Sequence, residues 1–169
     1  MNPFTAYHIP FLGLKAGVHT FDFVINESFF EEFEYSEISK GNFTVDLKLE
    51  KQSTMMVLDF SLEGKVEDTC DRCGMPITLE VTHEDRLIVK YGDETKITED
   101  EILVVSQAEH ILELEQYLYE YSHLALPSRR VCDNEDDCDQ DALDLLDSLQ
   151  DDDEDDDIDP RWEALKGLK

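Results

Sequence analysis

Between residues 43 and 62 the chain twice alternates apolar with polar side chains, and this period of two most narrows what it can fold into. Phe43, Val45, Leu47 and Leu49 take every second place in "FTVDLKLE", and Met56, Leu58, Phe60 and Leu62 do the same in "MMVLDFSLEG". Successive side chains of a strand point to opposite faces, so each run is a strand with one apolar face. The polar stretch at residues 51–53 joins them as a hairpin. A sheet built this way needs a cover for its apolar face.

More strands are predicted on either side. "AYHIPFLGL" and "GVHTFDFVI" precede the hairpin. "ITLEVTHEDRLIVKYG" comes after it, with Ile77, Leu79 and Val81 on one side, a break near Glu84 and Asp85, and resumption at Leu87 and Val89. "EILVV" is a further strand. Short consecutive strands pair with their neighbours, so the sheet is expected to be mostly antiparallel. The cover is one long helix at about residues 107–126. Ser106 followed three residues later by Glu109 reads as a capping box, and Ile111, Leu114, Leu118, Tyr121 and Ala125 recur at helical spacing up to Pro127. The predicted class is therefore α+β, mainly β.

Charge separates the folded part from the C-terminal stretch. Of the net charge of -28, residues 133–159 supply 16 acidic side chains and no Lys or Arg, while residues 1–130 hold 25 acidic against 11 basic. The expected organisation is a β-rich domain at 1–138, an acidic, largely disordered linker at 139–158, and a short amphipathic segment at 159–169. Within the linker, Ala142, Leu145, Leu146 and Leu149 allow one amphipathic turn. In the last segment Asp159 suits an N-cap and Pro160 the first helical position, which puts Trp162, Leu165 and Leu168 on one face. Such an apolar hook on an acidic tether suits docking to a partner, or else folds back on its own domain. The acidic surface repels a bare phosphate backbone and favours a basic protein partner. The N-terminus lacks a basic start followed by an unbroken apolar stretch, and no apolar run approaches the ~20 residues that span a bilayer. The chain is expected in the cytoplasm, off the membrane.

In a reducing compartment, paired cysteines hold metal more often than disulfides. "TCDRCGMP" aims Cys70 and Cys73 at one point, and Gly74 permits the positive φ that such a turn needs. Tetrahedral zinc wants two more ligands, and the remaining cysteines are Cys132 and Cys138, just past the predicted helix. The expected cofactor is one structural zinc ion on Cys70, Cys73, Cys132 and Cys138, clamping the helix exit to the sheet. Four unliganded thiols are the plain alternative, and His123 is a weaker substitute ligand. A redox pair is disfavoured because Gly74 and Pro76 oppose the helix that activates one. His8, His19, His83 and His110 stand without partners at an interpretable spacing, and the sequence contains no triad, phosphate loop or HExxH. Neither an enzyme nor a small-molecule substrate is expected.

"CDRCGMPI", the stretch "YEYSHLALPSRRVC" and the terminal "DPRWEALKGL", in this order, resemble the YceD-like proteins, the large ribosomal RNA subunit accumulation proteins of bacteria and plastids. The resemblance covers about residues 55–169. It implies a cytoplasmic, non-enzymatic factor of ribosome biogenesis that supports accumulation of large-subunit (23S) rRNA. Its partners would be a ribosomal protein or a large-subunit precursor, with rRNA contact a further option. By the family motif, Cys70, Arg72 and Cys73 match the C-x-R-C turn and Cys132 the distal cysteine, leaving Cys138 as an addition of this branch. The chain departs from the pattern at Gly74, Met75 and Pro76, where leucine is frequent, and at Arg129 and Arg130, where proline and histidine are expected. Arg72, Arg129 and Arg130 would form a small RNA-facing patch, or serve only as local charge balance. The competing reading is a zinc-stabilised acidic adaptor, a nucleic-acid mimic acting on a non-ribosomal protein.

Overall fold

The computed structural model describes residues 3–97, 102–106 and 108–150. In chain order its elements are β1 (His8–Ile9), β2 (Gly17–Ile25), α1 (Glu27–Phe30), β3 (Lys40–Lys51), β4 (Met55–Thr69), β5 (Pro76–Gly92), β6 (Lys96–Ile97), β7 (Leu103–Ser106), β8 (Leu112–Glu113), α2 (Glu115–Leu124) and α3 (Gln140–Gln150). Six strands form a sheet in the order β2-β3-β4-β5-β7-β6, and β1 with β8 makes a separate two-stranded ribbon. Every pairing is antiparallel except that of β5 with β7, which is parallel. The architecture is the α+β, mainly β one that the alternation implies.

The hairpin register shows why. Val45 lies opposite Leu62, Leu47 opposite Phe60 and Leu49 opposite Leu58, so the apolar residues of β3 and β4 share one face. All are almost fully buried. Phe43 faces Gly64, and a Cβ at Gly64 would run into the Phe43 ring. The bare glycine is what admits the ring. Ile9 and Phe11 from the N-terminal segment, Phe29 and Phe30 from α1, Ile38, and Leu118 and Tyr121 from α2 complete this core. Thr44, Asp46 and Lys48 alternate with the core residues of β3 and face outward, exposed.

Four expectations need correction. "AYHIPFLGL" is no long strand but two 3-10 turns, Pro3–Tyr7 and Phe11–Gly13, around the two-residue β1. Pro10 has no N–H to give a sheet ladder, and the turns aim Tyr7, Ile9 and Phe11 inward. Nor does β5 break at Glu84 and Asp85, because it runs continuously from Pro76 to Gly92. His83 and Asp85 keep the inward phase, paired with each other at 3.4 Å, and the His83 ring lies 5.9 Å from that of Tyr121. Polar residues there interrupt the apolar pattern without interrupting the strand.

The third correction is the helix, which spans Glu115–Leu124 rather than about residues 107–126. Ser106 ends β7 instead of capping a helix. Its N–H donates to Thr95 Oγ1, and the Thr95 hydroxyl in turn donates to the Glu109 carboxylate at 2.5 Å. Thr95 thus takes the bonds that a capping box would make. Leu112 is then drawn into β8 opposite Ile9. Downstream, α3 is a helix of eleven residues where one turn is expected. The Asp139 carboxylate accepts the Asp141 N–H at its start, a side-chain cap at the positive end of the helix dipole. Residues 151–169, with Trp162, Leu165 and Leu168, lie outside the described residues.

Candidate metal centre

The distal ends of β4 and β5 extend past the sheet core, and the turn between them carries Cys70 and Cys73. Backbone bonds shape this turn: the Cys70 N–H donates to the Met75 carbonyl and the Gly74 N–H to the Cys70 carbonyl, both at 2.8 Å. Gly74 has φ 75°, in the left-handed region that glycine enters without strain. The chain leaving α2 comes back across the turn, where Asp71 and Arg130 exchange two bonds. The Asp71 N–H donates to the Arg130 carbonyl and the Arg130 N–H to the Asp71 carboxylate, each at 2.7 Å. This strap delivers Cys132. The 3-10 turn Glu135–Asp137 then folds back so that Cys138 also faces the turn.

All four thiols come together, with their sulfurs within 4.8 Å of one another. None is in a disulfide. Cys70, Cys132 and Cys138 are buried and Cys73 half-buried, packed with Ile77, Val131 and Leu143 in a cluster separate from the sheet core. Zn–S bonds of about 2.3 Å in a tetrahedron set sulfurs about 3.8 Å apart. The Cys73 and Cys132 sulfurs lie 3.8 Å apart. Four cysteine sulfurs gathered this closely are compatible with a closed tetrahedral metal site.

The thiols are electrostatically unequal. Burial raises the Cys70 thiol, but backbone N–H groups of Cys73, Arg72 and Cys132 outweigh it and bring the group down to about 6. Burial and the sulfurs of Cys138, Cys70 and Cys73 push Cys132 up to about 12, and burial also raises Cys138. Four negative sulfurs in one pocket repel each other, and a divalent cation reverses that penalty.

Residues 58–169, more than half of the chain, match the family described as large ribosomal RNA subunit accumulation protein YceD. The chain belongs to the YceD family. No curated protein and no solved structure matches it. The match spans the cysteine centre of this YceD-family chain, and the family's description names accumulation of ribosomal RNA rather than a reaction.

Around the centre, two of the three arginines are tied down. Arg72 Nη1 donates to Glu135 at 2.8 Å and so ties the Cys70 turn to the Cys138 turn. Arg130 bridges Asp68 at 2.8 Å and Glu37 at 3.1 Å, and the hydrogen bond to Glu37 together with the Asp68 charge holds its guanidinium even more firmly protonated. Arg129 is exposed. His123 is spent elsewhere: its Nδ1 meets the Tyr119 carbonyl at 2.8 Å. Asp68 and Asp71, which fix the arginine strap, escape the sequence reading because acidic residues are everywhere in this chain. Asp71 sits inside the C-x-x-C turn, the one signal that could have singled it out.

A second feature is the open sheet face. Between β2 and β5 it forms a shallow groove of about 890 Å³ lined by Asp22, Asp46, Asp59 and Glu84, with Lys48 and Arg86 as its cations. Arg86 is already bonded to Asp59 at 2.5 Å. No helix among the described residues is long and apolar enough to cross a membrane.

Proposed function

We propose that this chain is a non-enzymatic ribosome-biogenesis factor that supports accumulation of large-subunit (23S) rRNA, with one structural zinc ion on Cys70, Cys73, Cys132 and Cys138. The observation that carries the reading is the family match across the cysteine centre. It works through protein contacts, holding a basic ribosomal protein or a large-subunit precursor until RNA takes it over. The acidic surface favours such a partner and disfavours bare RNA. Trp162, Leu165 and Leu168 form the docking hook, and exposed Arg129, beside Arg72 and Arg130, marks where any rRNA contact would fall. The zinc ion supplies no chemistry beyond holding the exit of α2 against the turn between β4 and β5.

The test is depletion with gradient sedimentation. Tagged protein is expected to travel with large-subunit precursors, and its depletion to lower large-subunit rRNA relative to small-subunit rRNA. Protein that stays at the top of the gradient, with large-subunit rRNA unchanged on depletion, would overturn the assembly role and leave an acidic adaptor of another protein.

A further inference from the structure

His8 lies more than a hundred residues before Glu113 and Glu115, yet β1, β8 and α2 bring the three to one point. His8 is the register partner of Glu113 in the β1–β8 ribbon, and Glu115 opens α2 two residues later. A ligand atom from each lies within 4.8 Å of the others. His8 Nε2 and Glu115 Oε2 are 3.5 Å apart, on side chains only 13% and 19% exposed. Both atoms are shut off from solvent and neither makes a hydrogen bond. Ile9, Leu112 and Leu114, next to them in the chain, are almost fully buried.

A carboxylate oxygen and a ring nitrogen placed there without a hydrogen bond are costly, and their 3.5 Å ion pair offsets only part of that cost, so the site favours a further compensating group. We infer that His8, Glu113 and Glu115 bind a divalent first-row transition ion at a second site, separate from the cysteine centre. Zn–N and Zn–O bonds of about 2.0–2.2 Å at angles near tetrahedral hold ligand atoms about 3–3.6 Å apart. The 3.5 Å gap between His8 Nε2 and Glu115 Oε2 has that size. Two carboxylates and a neutral imidazole offset the ion's double charge, with exposed Glu113 adding its carboxylate to the half-buried His8 and Glu115. The ion staples the N-terminal segment, which covers the sheet core with Ile9 and Phe11, to the start of α2. Its nitrogen and oxygen donors suit zinc or manganese, unlike the all-sulfur centre, which selects zinc.

The experiment uses the full chain, saturated with Zn²⁺, desalted to remove ions held loosely by the acidic residues, and counted by elemental analysis. The wild type is expected to retain two zinc ions, and His8→Gln and Glu113→Gln one each, with affinity at the second site falling about tenfold or more. Glu113 is exposed on a ribbon, so its isosteric glutamine leaves the fold intact. Cobalt loading supplies the control: the near-ultraviolet thiolate-to-cobalt band reports the cysteine centre and is expected to be unchanged in both variants. Manganese added to protein loaded with a single equivalent of zinc, which the four thiolates take first, followed by loss of the free Mn²⁺ EPR signal, is expected to show one tight site that Glu113→Gln removes. Equal zinc counts in wild type and both variants, or no Mn²⁺ binding that depends on Glu113, would overturn the site and leave an ion pair only. Failure of the cysteine reading would instead appear as a missing cobalt–thiolate band with the second ion still counted.

Discussion

The core beneath the sheet and the cysteine cluster beyond its end are both buried, but they draw on different reserves. In the first, the stacked pairs Val45–Leu62, Leu47–Phe60 and Leu49–Leu58 lie under a cover of aromatic and aliphatic side chains, so each residue is supported by many others. In the second, Ile77, Val131 and Leu143 are the only apolar side chains other than cysteines packed against Cys70, Cys132 and Cys138 among the described residues. An apolar group that small contributes little by burial. The cluster is held instead by the two Asp71–Arg130 hydrogen bonds and the Arg72 and Arg130 ion pairs, to which the proposed metal would add sulfur ligation. Burial depth alone therefore says little about what holds a region. The sheet is self-sufficient, whereas the cysteine end has little apolar burial to draw on and is tied by charged and polar contacts.

Four measurements break or sharpen that contrast, in order of decreasing effect. Leu58→Ala opens a cavity at the centre of the sheet and should cost about 3–4 kcal/mol in urea unfolding, with the whole domain melting in one earlier transition. Zinc removal by chelation, or Cys132→Ser, should move that same transition by only about 1 kcal/mol while abolishing amide-exchange protection from Cys70 to Gly74 and in α3. A collapse of the sheet on metal loss would show that the two regions are one cooperative unit. Arg130→Ala removes a half-buried guanidinium from Asp68 and Glu37 and should cost about 1 kcal/mol, read as faster zinc release to a chelator.

The smallest effect belongs to the open face. Lys65 bonds Glu80 across β4 and β5 at 2.7 Å, and the lysine holds the Glu80 carboxyl below its usual range. A group so depressed adds stability that is present above the ordinary carboxylate pKa and lost as pH falls through the lowered value. The pair is fully solvated, so Glu80→Gln should leave the urea midpoint at pH 7 unchanged within error and remove only a slight acid-side slope. A shift as large as that of Arg130→Ala would mean that the open face is not merely solvated.

Much was legible where local chemistry decides alone. The alternation of Phe43 to Leu49 and of Met56 to Leu62 had one consistent outcome, because a register slip would turn every apolar residue into water. The Cys70–Cys73 turn was legible because Gly74 and the spacing are local. The start of α2 was not: Ser106 and Glu109 have the residue types of a capping box, but Thr95, eleven residues upstream of Ser106, takes their hydrogen bonds. Glu84 and Asp85 looked like a strand break because the contact that suits polar residues to the inward face there, His83 against Tyr121, is tertiary. His8 looked isolated because Glu113 and Glu115 reach it only through the fold.

By itself, then, the sequence determined a one-faced, mostly antiparallel sheet, a metal-type cysteine turn and a strongly acidic surface. Each arises from side chains within a few residues of one another or from composition. Tertiary structure alone decided that β7 lies parallel beside β5, that Asp71 and Arg130 strap the Cys132 segment onto the cysteine turn, and that His8 meets Glu113 and Glu115. Those outcomes join segments far apart in the chain, whose closure depends on the packing of everything between them.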